Sequence, residues 1–166
     1  SLTDEEVMSD NSIQTRMQKF FPKNGDYEIV HRNVYTINQR VASKFHIGKI
    51  LLAGDAAHLN NSIGGMGLNG GIHDAINAAD KIIQISRGEA DDSALSIYDV
   101  QRRTTTHEFT QAQTIANKKR LEAKDAKTRE TNLIELKKMA ENPERAKQFM
   151  MGTSMLSAVR RAATLS

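Results

Sequence analysis

The sequence predicts an α/β protein that is mostly helical, with only a few short strands. Three observations lead there. A short apolar run, Lys49 to Ala53, feeds a segment from Gly54 to Gly71 that holds six of the chain's ten glycines. Apolar residues then recur at helical spacing through Leu68, Ile72, Ala75, Ile76, Ala79, Ile82 and Ile83. From Asp91 onward almost the whole chain has the composition and cap signals of helix.

Taken in order, Leu2 to Phe21 reads as one helix. Thr3 is a cap with Glu6 three residues on, and Val7, Ile13, Met17 and Phe20 give it apolar positions. Pro22 and the run Lys23-Asn24-Gly25-Asp26 end it. Tyr27 to Ile37 is rich in β-branched and aromatic residues and is expected to be extended. Lys49 to Ala53, apolar on both faces, is expected to be a buried strand. The helix after the glycine segment stops near Gly88. Asp92 or Ser93 caps the next, and Asn142-Pro143 is a cap with a first-turn proline for the last. Lys118 to Lys147 is dense in both charge signs and reads as solvated helix.

Composition narrows the function classes. The chain has 166 residues, no cysteine and a formal net charge of +3. Disulfides and thiolate metal sites are excluded, and the five histidines are scattered without metal-ligand spacing, so no metal is expected. With eight Phe and Tyr and no Trp, few stacking platforms exist and no nucleic-acid partner is expected. No apolar run approaches a membrane span, and no signal-peptide layout opens the chain. A cytoplasmic protein without a membrane partner is the expectation. Unpaired strand edges make self-association, and so a homo-oligomer, an open possibility.

The glycine segment carries the chemistry. A strand that ends in Gly54-Asp55 places a carboxylate where open α/β sheets bind ligands. Glycines let the backbone approach a flat ligand, and a helix N-terminus offers free N–H groups to an electron-rich edge. The carboxylate suits the hydroxyls of a ribityl or ribose chain. Gly65-Met66-Gly67-Leu68-Asn69-Gly70 also satisfies G-x-G-x-x-G, with Glu89 downstream. As a dinucleotide fingerprint it is misplaced, because about ten residues separate it from the strand it should follow directly.

Gly48-Lys49-Ile50-Leu51-Leu52-Ala53-Gly54-Asp55-Ala56-Ala57-His58, followed by Gly64-Gly65-Met66-Gly67-Leu68-Asn69-Gly70-Gly71-Ile72-His73-Asp74-Ala75, resembles the second FAD motif of class A flavoprotein monooxygenases, the relatives of para-hydroxybenzoate hydroxylase and phenol hydroxylase. The likeness extends to Arg40-Val41-Ala42 and to Tyr98-Asp99-Val100-Gln101-Arg102-Arg103, where the family often has Tyr-Glu-x-Glu-Arg. The resemblance implies the C-terminal portion of an FAD/NAD(P)-binding fold without its N-terminal dinucleotide-binding βαβ unit, because the family's first glycine motif is not found in this sequence. It implies FAD as cofactor, NAD(P)H as electron donor, and oxygen-dependent hydroxylation of an aromatic or phenolic substrate. The missing N-terminal half of the FAD fold would be a partner, and the isolated fragment would be inactive. Cofactor contacts are implied at Asp55, Gly65, Gly67, Leu68 and Asn69; no catalytic residue is assigned. The family often has proline in the loop after the histidine, where this chain reads Leu59-Asn60-Asn61-Ser62-Ile63. That loop is therefore expected to be less rigid here.

The organisation expected on this basis is residues 1–38 as the end of a substrate domain, 39–88 as the FAD-domain portion and 89–166 as C-terminal helices. Two alternatives remain open: another flavoprotein of the same fold, such as a halogenase or reductase, or a non-catalytic helical interaction module. Among single residues, His58 is expected to pack or to support the site from behind. His73 and Asp74 are placed in the first turn of their helix, Asp74 complementing its dipole. Met150, Met151, Met155 and Leu156 are expected to form a packing face. Arg40 is open between a boundary role and an active-site role.

Overall fold

The computed structural model describes residues 2–166. They divide into two compact units, Ser1–Ile37 and Asn38–Ser166.

In the first unit the expected single helix is two. Helix α1 spans Asp4–Met8 and α2 spans Asp10–Phe20. Thr3 and Glu6 form the predicted capping box on α1. The break is at Ser9, whose extended backbone ends α1 while its hydroxyl accepts the N–H of Ser12 and caps α2. A good capping residue inside a helical pattern has competed with continuation and won. The expected strand at Tyr27–Ile37 does not form: this segment pairs with no other strand among the described residues. The Gln14 side chain occupies both backbone groups of Tyr27 instead, each at 2.8 Å. A β-favouring composition makes a ladder only where a partner edge exists.

The second unit holds the glycine segment. Two small antiparallel pairs frame it: β1 (Arg40–Val41) with β4 (His58–Leu59), and β2 (His46–Ile47) with β3 (Ile50–Leu51). The buried strand expected over Lys49–Ala53 is thus reduced to two residues of a hairpin, and Ile50 is 68% exposed. Leu51 and Leu52 pack against the core, whereas Ile50 points to the exposed side of the hairpin.

Helix α3 runs from Met66 to Ser86, starting earlier than Leu68, and Gly88 follows its end at φ +69°. Helix α4 (Ser93–Thr105) leads through a π-helical turn, Thr106–Gln111, into α5 (Ala112–Leu121). The side chains of Asp92 and Ser93 do not cap α4; the Asp91 carboxylate accepts the Ser93 N–H at 2.8 Å. Helices α6 (Ala126–Glu141), α7 (Pro143–Thr153) and α8 (Leu156–Ala162) follow. Asn142 caps α7 through the Arg145 N–H, with Pro143 in the first turn, as the sequence predicts, but α7 is not the last helix, since α8 follows it. Helix α6 buries no residue and carries Lys137–Glu141 and Lys138–Glu135 on its exposed surface, the solvated helix expected.

Two clusters form the core. Phe45, Ala57, Ala78 and Tyr98 pack together between the β segments, α3 and α4. Met66, Met155 and Ala158 make the second, with Phe109 against it. Of the four residues expected to form a C-terminal packing face, Met155 is buried, whereas Met150 and Leu156 are exposed, because Met155 adopts a left-handed turn that reverses the chain between α7 and α8.

Candidate functional site

After β3 the chain turns through a short 3₁₀ segment, Gly54–Ala56, which presents Asp55 to solvent. Helix α3 crosses beneath this turn at Gly71. A Cβ on Gly71 would stand 3.1 Å from the Cα of Gly54, closer than nine in ten real contacts of that kind. Only two glycines allow the helix and the turn to meet backbone to backbone.

Their meeting forms an open cleft of about 480 Å³. Asp55 stands on one wall, Gly67 and Leu68 on the other, and Gly71, Ile72 and Ala75 line the floor. The volume lies within the usual range for a cofactor pocket, roughly 300–1,000 Å³. Its surface is mainly apolar with one carboxylate acceptor, a combination that suits a flat ring bearing a hydroxylated chain.

Because α3 begins at Met66 with Gly65 as its cap, the N–H groups of Met66, Gly67 and Leu68 have no acceptor within the helix. The backbone N–H of Asn69 falls on the Gly65 carbonyl as the first helical bond, and the Asn69 amide also donates to that carbonyl at 3.2 Å. Of the five positions named from the sequence, the cleft brings together Asp55, Gly67 and Leu68. Gly65 caps the helix at its mouth, and Asn69 turns back onto the cap.

Behind the cleft lies a buried polar cluster. Asp74, in the third turn of α3 and not the first, is fully buried. Its Oδ2 accepts the Gly54 N–H at 3.0 Å and faces His58 Nε2 at 2.7 Å, while its Oδ1 accepts the Arg102 Nε–H at 2.8 Å. A carboxylate is acceptor only, so His58 carries its proton on Nε2. His58 Nδ1 is then left buried without a partner among the described residues. Burial pushes the Asp74 pKa up, but the bonds from His58 and Arg102, the Arg102 charge and the Gly54 N–H together hold it below the usual carboxylate value. Burial and the Arg102 charge lower the pKa of His73 next to it, against the opposing effect of Asp74. The ring of Phe45 stacks on His58 with centroids 6.0 Å apart.

His58 is buried, bonded to Asp74 and stacked on Phe45, and Asp74 is a hub in the third turn and not a first-turn helix-dipole partner. Arg40 lies exposed in β1, paired with Leu59. Sequence reasoning gave no role to Arg102, Tyr98 or Asn61. Arg102 and Tyr98 belong to the Tyr98–Arg103 segment already noted for its family likeness, and that was the available signal. The Tyr98 hydroxyl donates to the Leu52 carbonyl at 2.6 Å, fixing the chain just before the Asp55 turn. Burial, and secondarily the Asp74 charge, push its pKa strongly up. No group of three potential metal-ligating side chains occurs among the described residues, and none of their helices is long and apolar enough to cross a membrane.

The sequence family described as "FAD binding domain" matches residues 2–113. The chain belongs to that family. Among curated relatives, it is 36% identical over 117 residues to para-nitrophenol 4-monooxygenase of Pseudomonas sp. (strain WBC-3), covering 66% of this chain and 29% of that protein. It is 40% identical over 101 residues to 3-(3-hydroxy-phenyl)propionate/3-hydroxycinnamic acid hydroxylase of Mycolicibacterium smegmatis, covering 61% of this chain and 18% of that one. The crystal structure of p-nitrophenol 4-monooxygenase PnpA from Pseudomonas putida DLL-E4 matches 94% of this chain and 41% of its own, at 28% identity and a TM-score of 0.78. A lesser likeness links it to the rebeccamycin biosynthetic enzyme RebC with reduced flavin, at 25% identity and a TM-score of 0.52 over 72% of this chain and 25% of that one. This FAD binding domain chain therefore spans less than half the length of the relatives it matches. The few strands and many helices of the second unit are what part of an FAD-binding fold would show.

Proposed function

We propose that this chain supplies the flavin-side wall of the FAD site in a monooxygenase that hydroxylates a phenolic substrate with NAD(P)H and oxygen. The observation that carries this is the convergence of Asp55, Gly67 and Leu68 on one glycine-floored cleft. Asp55 would accept hydrogen bonds from the ribityl hydroxyls. The free N–H groups of Gly67 and Leu68, with that of Met66, would face the ring's pyrimidine edge; Gly65 and Asn69 would shape that helix mouth. FAD supplies the redox chemistry when bound; this chain's residues bind, orient and keep one side of the ring dry.

The named relatives are a nitrophenol monooxygenase and a hydroxyphenylpropionate hydroxylase, which supports an aromatic substrate. The likeness to a biosynthetic enzyme holding reduced flavin supports the wider class of flavoproteins as the second reading. Residues 1–38 would then belong to a substrate-domain end, 39–88 to the FAD domain and 89–166 to C-terminal helices. The rest of the fold, including the dinucleotide-binding unit, would correspond to the part of the relatives that this chain does not match. Beyond the cleft, Ile76 and Ile83 continue the exposed apolar face of α3, which such a partner would cover.

The test uses the complete gene product. Asp55→Ala should weaken FAD binding by about 1.5–3 kcal/mol, the range for hydrogen bonds to a charged group. The fold should survive, because Asp55 is exposed. FAD affinity equal to wild type would overturn the assignment. Product analysis with candidate phenols separates hydroxylation from other flavin chemistry.

A further inference from the structure

The loop from Leu59 to Gly65 links the Asp55 turn to the α3 N-terminus, and it contains no proline. It is nevertheless pinned along its length by one neighbouring segment, the π-helical turn and α5. Asn61 is the main anchor. It is buried, its Nδ2 donates to Gln39 Oε1 at 2.8 Å and to the Thr114 carbonyl at 3.2 Å, and its Oδ1 accepts the Ile63 N–H at 3.1 Å. Every polar atom of that amide is thus in use.

Gln39 extends the anchor. Its Nε2 donates to Thr114 Oγ1 at 3.1 Å and to the Gln111 carbonyl at 3.4 Å. Gln111 in turn donates its Nε2–H to the Leu59 carbonyl at 3.1 Å. At the far end, α5 approaches Gly64 so closely that a Cβ there would stand 2.6 Å from Asn117 Nδ2, and Gly64 sits at φ +100°. Gln111 and Thr114 are three residues apart and so face the same side, and Thr106, Thr110, Gln111 and Thr114 are all buried.

We propose that Asn61, through Gln39 and Thr114, is a positioning residue for the cofactor site: it does by buried hydrogen bonds what proline would do by restricting the backbone. Resting on the FAD reading above, it holds the α3 N-terminus against the Asp55 turn so that both walls of the cleft keep their spacing. The energetic reason is local. Two donors and an acceptor buried at fixed partners cannot swing out without each losing a bond to no replacement.

The experiment is run on the complete gene product with and without FAD, comparing wild type, Asn61→Ala and Gln39→Ala. Amide hydrogen exchange reads loop fixation, and FAD titration reads the consequence. Each variant should speed exchange of the Gly65 amide, which donates to the Ser62 carbonyl, and of the Asn69 amide at the start of α3, by roughly tenfold or more in both forms, the equivalent of one lost buried hydrogen bond. FAD affinity should fall by a similar factor, while α6 exchange stays as in wild type. Gln39 is half-buried, so Gln39→Ala decides the matter if Asn61→Ala does not fold. Wild-type exchange in the loop overturns the proposal. So does faster exchange with unaltered FAD affinity when Asp55→Ala does weaken it. If Asp55→Ala has no effect on affinity, the FAD reading falls instead, and the exchange of the FAD-free protein still decides the role of Asn61.

Discussion

The carboxylate of Asp74 in α3 accepts the backbone N–H of Gly54 at 3.0 Å, tying the helix floor of the cleft to the turn that carries Asp55. The same carboxylate serves His58 and Arg102, so three segments distant in sequence share one buried charge.

Asp74→Asn should therefore be strongly destabilising, by about 3–5 kcal/mol, because Arg102 would be left buried without its counter-charge. The effect should depend on pH. A carboxyl whose folded pKa lies below its unfolded value, near 3.9, stabilises fully above that value and loses the contribution as pH falls through the folded one. Urea midpoints of wild type and variant should differ by a constant amount above about pH 5 and converge below about pH 4. A difference that persists undiminished at pH 3 would show that the Asp74 charge is not the source.

Gly71→Ala tests the backbone contact. In a helix, alanine gains about 1 kcal/mol over glycine. Here its Cβ would press on the Gly54 Cα at 3.1 Å, and overpacking costs about 1–3 kcal/mol. The variant should be less stable by thermal unfolding and hold FAD less tightly in the complete protein. An increase in melting temperature would mean that the turn shifts freely.

Tyr98→Phe removes the hydroxyl that donates to the Leu52 carbonyl while leaving the buried ring. The orphaned acceptor should cost about 1–3 kcal/mol in a denaturant titration. No change would show that water replaces the hydroxyl.

Leu68→Pro removes one N–H that has no acceptor inside α3, and its 78% exposed side chain makes the change mild for packing. Proline is tolerated in a helix's first turn. A helix terminus contributes roughly 0.3–2 kcal/mol to a nearby negative charge, and 1.4 kcal/mol is about 30 mV for a two-electron couple. The midpoint potential of the FAD-loaded complete protein should fall by up to roughly 40 mV. An unchanged potential in a folded, loaded variant would mean that Leu68 does not donate to the ring.

The sequence by itself determined the helices and the cofactor motif. Apolar spacing located α3, and Asn142-Pro143 located the start of α7, because such signals act within a few residues of chain. Gly54-Asp55 and Gly64–Gly71 announced a ligand loop for the same local reason. Only tertiary structure decided what those pieces meet. Ser9 split a helix, and Tyr27–Ile37 found no partner edge, because capping and pairing compete with pattern. Asp74 became a hub once the fold carried Arg102 and His58 to it from 28 and 16 residues away. Asn61 looked like one more residue of a loose loop until α5 closed over it. A buried hydrogen bond needs both partners, and sequence spacing along one strand of chain contains only one of them.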